Sequence, residues 1–212
     1  MRLRILLTFA TFAIAATAVA QDDNDISQRV PDSFQVRYAS NLNKGDSYVN
    51  ITNTGSDVPT GDNICVNVYT FDPSEEMVSC CACLVTPNAL VSLSVQGDMI
   101  SNTLSPSTPT AVVIKLLATR PQDEITCNPG IVPGVMGEEE LAPGMRAWGT
   151  TLHALPGTPT TYGLTESRFL NGGLSLAEGV HLLQFCGFIQ ANGSGFGICK
   201  SCRSGGLGGA KQ

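Results

Sequence analysis

The chain has 212 residues, of which 18 are acidic and 12 basic, so its formal net charge is −6. An acidic surface repels nucleic-acid phosphates and anionic lipid headgroups, which argues against a nucleic-acid partner. Eight cysteines in a chain of this length are too dilute for a scaffold held by bridges alone. We therefore expect a hydrophobic core that disulfides assist.

Residues 1–20 have the three regions of an export signal. Arg2 and Arg4 form a basic start, Ile5–Ala16 is apolar, and Ala18-Val19-Ala20 is a small-residue cleavage site. The apolar run is too short for a membrane span, which needs about 20 residues. We predict a signal peptide over 1–20, a secreted or periplasmic mature protein with no membrane span, and a mature net charge of −8 because two arginines are removed.

The mature chain begins with a polar segment, 21–33, which we interpret as a flexible N-terminal arm. Alternating apolar and polar residues then predict strands. A turn at 72–75 joins the third and fourth of these strands into a hairpin. The predicted strands are Phe34–Ser40, Ser47–Asn53, Asn63–Phe71, Glu76–Val85, Ala89–Val95, Thr110–Thr119, Met145–Leu155 and Thr161–Leu170.

A long loop, 120–144, interrupts the strand pattern. It contains three Pro-Gly steps, the acidic run Glu138–Glu140, and Cys127. Loops of this length are typically functional or disordered, and Cys127 predicts that at least one end is fastened.

A helix is predicted only late in the chain, in the segment 171–212. Ser175 and Glu178 have the spacing of a capping box, and Asn192-Gly193 is a stop signal. Apolar residues recur at helical spacing between these signals, which predicts an amphipathic helix docked on a sheet. A cysteine-containing, Gly-rich tail follows it. Together these elements predict a mainly all-β fold, an Ig-like β-sandwich over 34–170 with one C-terminal α-helix.

Three cysteines lie in one predicted strand. Cys81 and Cys83 share one face of it and Cys80 lies on the other. A bond between adjacent Cys80 and Cys81 is geometrically poor, so at least two of the three need distant partners. The available distant set is Cys186, Cys199 and Cys202, with Cys65 and Cys127 left to each other or exchanged. A disulfide that closes a loop of about a hundred residues raises the free energy of unfolding by roughly 4 kcal/mol.

Two other uses of the cysteines remain open. Cys81, Cys83, Cys199 and Cys202 could supply four thiolates to zinc, although the first pair is closely spaced. The Cys199-Lys200-Ser201-Cys202 motif could act in thiol redox chemistry, although it follows a helix instead of opening one. An oxidising compartment favours disulfides over both. No cofactor is indicated.

Catalytic signals are weak. The two histidines are His153 and His181, and an enzymatic role would gain support if one of them lay in a cleft with a carboxylate. The stretch around Ser194 lacks the glycines of a nucleophile elbow. We therefore predict a structural or binding protein, with no assigned catalytic residue and with a protein or a glycan as the expected ligand.

Three stretches carry a resemblance. Residues 48–57 (YVNITNTGSD) resemble a strand-and-turn phrase of bacterial Ig-like envelope domains. Residues 65–95 together with 192–202 resemble a family of uncharacterised secreted bacterial proteins of acidobacterial type. The resemblance implies export and paired cysteine blocks, and it implies no activity or functional residue.

Overall fold

The structure is a computed structural model that describes residues 25–55, 62–131, 136–195 and 197–204. The predicted signal peptide lies outside these residues. Over the described chain there are nine β-strands and one α-helix. They are β1 (Phe34–Ala39), β2 (Tyr48–Asn53), β3 (Ile64–Phe71), β4 (Met77–Val85), β5 (Leu90–Ser94), β6 (Val112–Thr119), β7 (Met145–Leu155), β8 (Thr158–Arg168), β9 (Leu170–Asn171) and α1 (Leu176–Ala191).

The strands form two antiparallel sheets. One sheet has five strands in the order β4-β3-β6-β1-β9, and the other has four in the order β5-β2-β7-β8. The predicted hairpin is confirmed, since β3 and β4 pair from Ile64 opposite Val85 to Phe71 opposite Met77. The mainly all-β fold with one C-terminal helix is thereby confirmed. Within the described part of the chain, no helix has the length and apolar character that a membrane span needs.

Strands β3 and β4 of the five-stranded sheet are buried on both faces, and β6 is largely buried. One face packs against the four-stranded sheet, where Val66 and Ile114 meet Ile51 and Leu93. The other face packs against α1, where Tyr69 and Leu117 lie among a second set of apolar side chains. Burial on two sides explains the near-continuous apolar runs of β3, β4 and β6.

The N-terminal segment is docked over its described part, 25–33. The backbone N–H of Ile26 donates to the carbonyl of Leu174 at 2.9 Å, and the Asp25 carboxylate accepts from the Leu174 N–H at 2.9 Å. Ile26 and Val30 pack beside the helix-side core. Two apolar residues thus anchor a segment whose polar composition suggests a flexible arm.

The long loop 120–144 is fastened at its centre. The Tyr69 hydroxyl donates to the carbonyl of Pro129 at 2.9 Å, and Cys127 is bonded to Cys65. Burial raises the pKa of the Tyr69 phenol well above its ordinary value, so this donor is neutral. Farther along, Thr119 and Leu141 form an isolated antiparallel bridge.

Candidate functional site

The helix α1 carries apolar side chains on two faces. Leu182, Cys186 and Ile189 follow each other at four- and three-residue steps and are buried against the sheet. Phe185 and Phe188 lie on another face and are 54% and 59% exposed. The helix is therefore not the simple amphipathic helix that its sequence suggests, and it leaves two phenylalanines at the surface.

These phenylalanines line a groove of about 570 Å³ between α1 and the β3–β4 hairpin. We call it the aromatic groove. Most of its lining is apolar, and two carboxylates lie at one side. The lining residues are Phe71, Glu75, Glu76, Met77, Val78, Leu104, Ser105, Phe185, Phe188 and Ile189. A second groove, of about 370 Å³, shares Phe71, Glu75 and Phe185 with it.

The β3–β4 turn gives the grooves an acidic rim. The Asp72 carboxylate accepts hydrogen bonds from the backbone N–H groups of Ser74 at 2.8 Å and Glu76 at 3.0 Å, which fixes the turn. Glu75 adopts a left-handed backbone conformation with φ of 67°. Three carboxylates, those of Asp72, Glu75 and Glu76, thus lie close together beside exposed aromatic rings.

A cation that lines the second groove with this rim, Lys115, is already paired. The Lys115 ammonium binds the Glu178 carboxylate and lies 4.7 Å from the centroid of the Phe71 ring. Its charge is balanced by Glu178, so the rim keeps its negative charge. The aromatic groove is therefore apolar and has an acidic rim at one side.

One of the two histidines, His181, lies in a groove together with carboxylates. His181 lines the second groove together with the carboxylates of Asp72, Glu75 and Glu178, so it meets the cleft condition that would support an enzymatic role. Glu178 is bound to Lys115, and the His181 ring packs edge-on to Phe185 at 6.0 Å. His153 lines a different groove, of about 580 Å³, whose lining residues include no carboxylate. Its Nε2 atom lies 2.7 Å from the Thr165 hydroxyl.

All eight cysteines are joined in four disulfides, with Cα–Cα distances of 4.9–5.8 Å. The pairs are Cys65–Cys127, Cys80–Cys186, Cys81–Cys199 and Cys83–Cys202. Strand alternation explains the split among the three adjacent cysteines, because Cys80 faces the helix while Cys81 and Cys83 face the tail. The sequence leaves the partners of Cys65 and Cys127 open, and in the structure these two cysteines are bonded to each other.

The tail also pairs with the outer edge of β4. The backbone N–H of Ala82 donates to the carbonyl of Gly197 at 3.2 Å, and the N–H of Cys199 donates to the carbonyl of Ala82 at 3.1 Å. Ala82 and Ile198 form an isolated parallel bridge. Main-chain hydrogen bonds and two disulfides therefore hold the same short segment of tail.

Three sulfur atoms from two different bridges form a cluster. The Sγ atoms of Cys83, Cys199 and Cys202 all lie within 4.8 Å of one another, and Cys81 is bonded to Cys199. Among the described residues, no other group of three or more Cys, His, Asp or Glu ligand atoms is as close. Zinc binds thiolates, so a metal site at Cys81, Cys83, Cys199 and Cys202 requires reduction of both bridges.

A buried acid that the sequence analysis missed positions the tail. Asp98 lies in a short π-helical turn, Val95–Met99, and is 1% exposed. Its carboxylate accepts from the Ser94 N–H at 2.9 Å and from both the N–H and the hydroxyl of Ser201 at 2.7 Å. The signal available in the sequence was an acidic residue directly before the apolar pair Met99-Ile100.

We expect Gly195→Ala to destabilise the tail. Gly195 has φ of +67°, and a Cβ atom there would lie 2.7 Å from the carbonyl oxygen of Cys80. We expect a loss of about 2 kcal/mol in the free energy of unfolding, measured by urea denaturation without reductant. Gly193→Ala is the control, because Gly193 has φ of +82° but nothing within 4 Å. Equal losses in the two variants would show that the contact with Cys80 is unimportant.

Comparison with known proteins finds no matching family model, no matching curated protein and no matching solved structure.

Proposed function

We propose that this is an exported binding protein of the bacterial envelope, acting in the periplasm or outside the cell. Four disulfides support this location, because such bonds persist in oxidising compartments. The signal-like residues 1–20 support it independently. Two antiparallel sheets packed face to face support the Ig-like class as part of the same proposal.

The aromatic groove is the single observation that carries the binding role. Contiguous exposed apolar side chains are uncommon on soluble proteins and mark interaction sites. Phe185 and Phe188 are each more than half exposed, and Leu104 beside them is 46% exposed. Aromatic side chains in such a position supply much of the binding free energy at protein interfaces.

The chemistry of the groove defines the ligand as a peptide segment with both apolar and basic side chains. Its apolar side chains would contact the phenylalanines, and its lysines or arginines would pair with Asp72, Glu75 and Glu76 on the rim. A glycan fits less well. Sugar hydroxyls need several polar partners, and Ser105 is the one uncharged polar side chain of the aromatic groove.

A direct test uses two short fluorescent peptides, one alternating leucine with lysine and the other alternating leucine with glutamate. We expect fluorescence anisotropy to show binding of the lysine peptide, weakened by added salt because charges at the rim are screened. Phe185→Ser combined with Phe188→Ser should weaken it by more than roughly tenfold. Glu75→Gln combined with Glu76→Gln should reduce both the affinity and its salt dependence.

The matched control is Leu170→Ser on β9. Leu170 is 74% exposed but does not line the aromatic groove, so its loss should leave binding unchanged. Circular dichroism should show that every variant is folded, since all the changed side chains are exposed. Equal binding of the glutamate peptide, or full binding by the doubly substituted phenylalanine variant, would refute the proposal.

A further inference from the structure

The sulfur cluster has a geometry that favours exchange between its two bridges. The Sγ atom of Cys199 is bonded to Cys81, yet it lies within 4.8 Å of the Sγ atoms of Cys83 and Cys202. Cys199 and Cys202 are joined by one turn, closed by a hydrogen bond from the Cys202 N–H to the Cys199 carbonyl at 3.0 Å. A new bond between these two cysteines therefore needs only small side-chain movements.

Burial decides where exchange begins. Cys81, Cys83 and Cys199 are at most 1% exposed, while Cys202 is only partly buried. A thiolate from solvent must reach the sulfur that it attacks, so Cys202 is the accessible member of the cluster. The Cys80–Cys186 bridge offers no comparable opening, since both of its cysteines are at most 1% exposed.

We propose that the sulfur cluster is a thiol–disulfide exchange site that oxidises small monothiols. A thiolate attacks Cys202, which forms a mixed disulfide and expels Cys83 as a thiolate. A second thiolate attacks the small-molecule sulfur of that mixed disulfide, releasing the oxidised small molecule and Cys202 as a thiolate. Cys202 then attacks Cys199, which forms the Cys199–Cys202 bond and expels Cys81.

The three exchange steps together balance in electrons and protons. Two monothiols are oxidised to one disulfide, and one of the two protein bridges is reduced. The two thiol protons end on Cys81 and Cys83, which become a dithiol on β4. The tail is then free of its covalent links to β4, although the main-chain hydrogen bonds between Ala82 and the tail are still available to hold it.

The test is a disulfide map of the full mature protein after anaerobic treatment with limiting reduced glutathione. Free thiols are blocked with N-ethylmaleimide in acid, and peptides are analysed by mass spectrometry without reduction. We expect a Cys199–Cys202 bond within one tail peptide, and label on Cys81 and Cys83. Cys65–Cys127 and Cys80–Cys186 should remain intact. A product with label on Cys83 and Cys202 and with Cys81 still bonded to Cys199 would overturn the proposal.

A paired variant tests the role of Cys202. In Cys83→Ala combined with Cys202→Ala, the Cys81–Cys199 bridge should be reduced by glutathione at least roughly tenfold more slowly, because its internal attacking thiolate is gone. Cys65→Ala combined with Cys127→Ala removes a remote bridge and, at a temperature where circular dichroism shows this variant to be fully folded, should still form the Cys199–Cys202 bond. Unchanged or faster reduction in the first variant, as a merely loosened tail would give, contradicts the assignment.

Discussion

Replacing Cys65 and Cys127 together by alanine should lower the free energy of unfolding by about 4 kcal/mol, more than the loss of any other single bridge. This bond closes a loop with a sequence separation of 62 residues. Most of its effect comes from restricting the unfolded chain, and no other bridge supplies a shorter connection between the two positions. It also fixes the loop whose Pro129 carbonyl accepts from Tyr69.

The three tail and helix bridges have larger separations, 106 to 119 residues, yet each should contribute less. They join neighbouring positions on β4 to neighbouring positions near the C-terminus, so each one shortens the loop that the others close. With Cys81–Cys199 intact, Cys83–Cys202 closes a ring of only about seven residues. Its expected contribution to the free energy of unfolding is about 2 kcal/mol. Cys80–Cys186 closes a ring of about sixteen residues, for about 3 kcal/mol.

Urea denaturation without reductant measures these differences. The variants are Cys65→Ala with Cys127→Ala, and Cys83→Ala with Cys202→Ala as the matched control. Mass spectrometry must first show that the three remaining bridges are intact in each. If the control loses as much stability as the first variant, sequence separation alone governs the effect, and the argument from shared loops is wrong.

Replacing Asp98 by alanine should lower the free energy of unfolding by about 3 kcal/mol, because three hydrogen-bond donors lose a buried, charged acceptor. The three donors are the backbone N–H groups of Ser94 and Ser201 and the Ser201 hydroxyl, and all three lose their partner at once. Buried donors without a partner lose the hydration that they have in the unfolded chain. We also expect the main-chain hydrogen bonds between the tail and Ala82 to open before the sheets unfold, while the two disulfides of the tail stay intact.

Ser201→Ala provides the comparison for Asp98. It removes the hydroxyl donor but keeps the backbone hydrogen bond from residue 201, so its expected cost is about 1 kcal/mol. Hydrogen exchange of the Cys199 and Cys202 amides reports on the tail directly. If Asp98→Ala costs no more than Ser201→Ala, the carboxylate is not the main anchor of the tail.

The sheets could be predicted because their signals are local. Alternation in β1, β2 and β5, and the nearly continuous apolar runs of β3 and β6, each record the environment of a single strand. The link between the three-cysteine strand and the tail was also predictable, because Cys80 and Cys81 cannot readily bond to each other.

The aromatic groove could not be predicted in this way. It combines side chains from three parts of the chain, at 71–78, 104–105 and 185–189, and no local pattern relates them. Phe185 and Cys186 are adjacent in an apolar helix, yet one is exposed and the other buried. Only the position of the sheet decides which of the two faces of α1 becomes core.

Pairing between the tail and β4 has a consequence for the whole molecule. The strand MVSCCACLV is apolar, β-prone and uncharged, and its outer side would otherwise present free amide and carbonyl groups. If the bridges are reduced and a protease then cuts the tail, the outer edge of β4 would become accessible to a second molecule. The expected result of such a cut is strand-to-strand polymerisation.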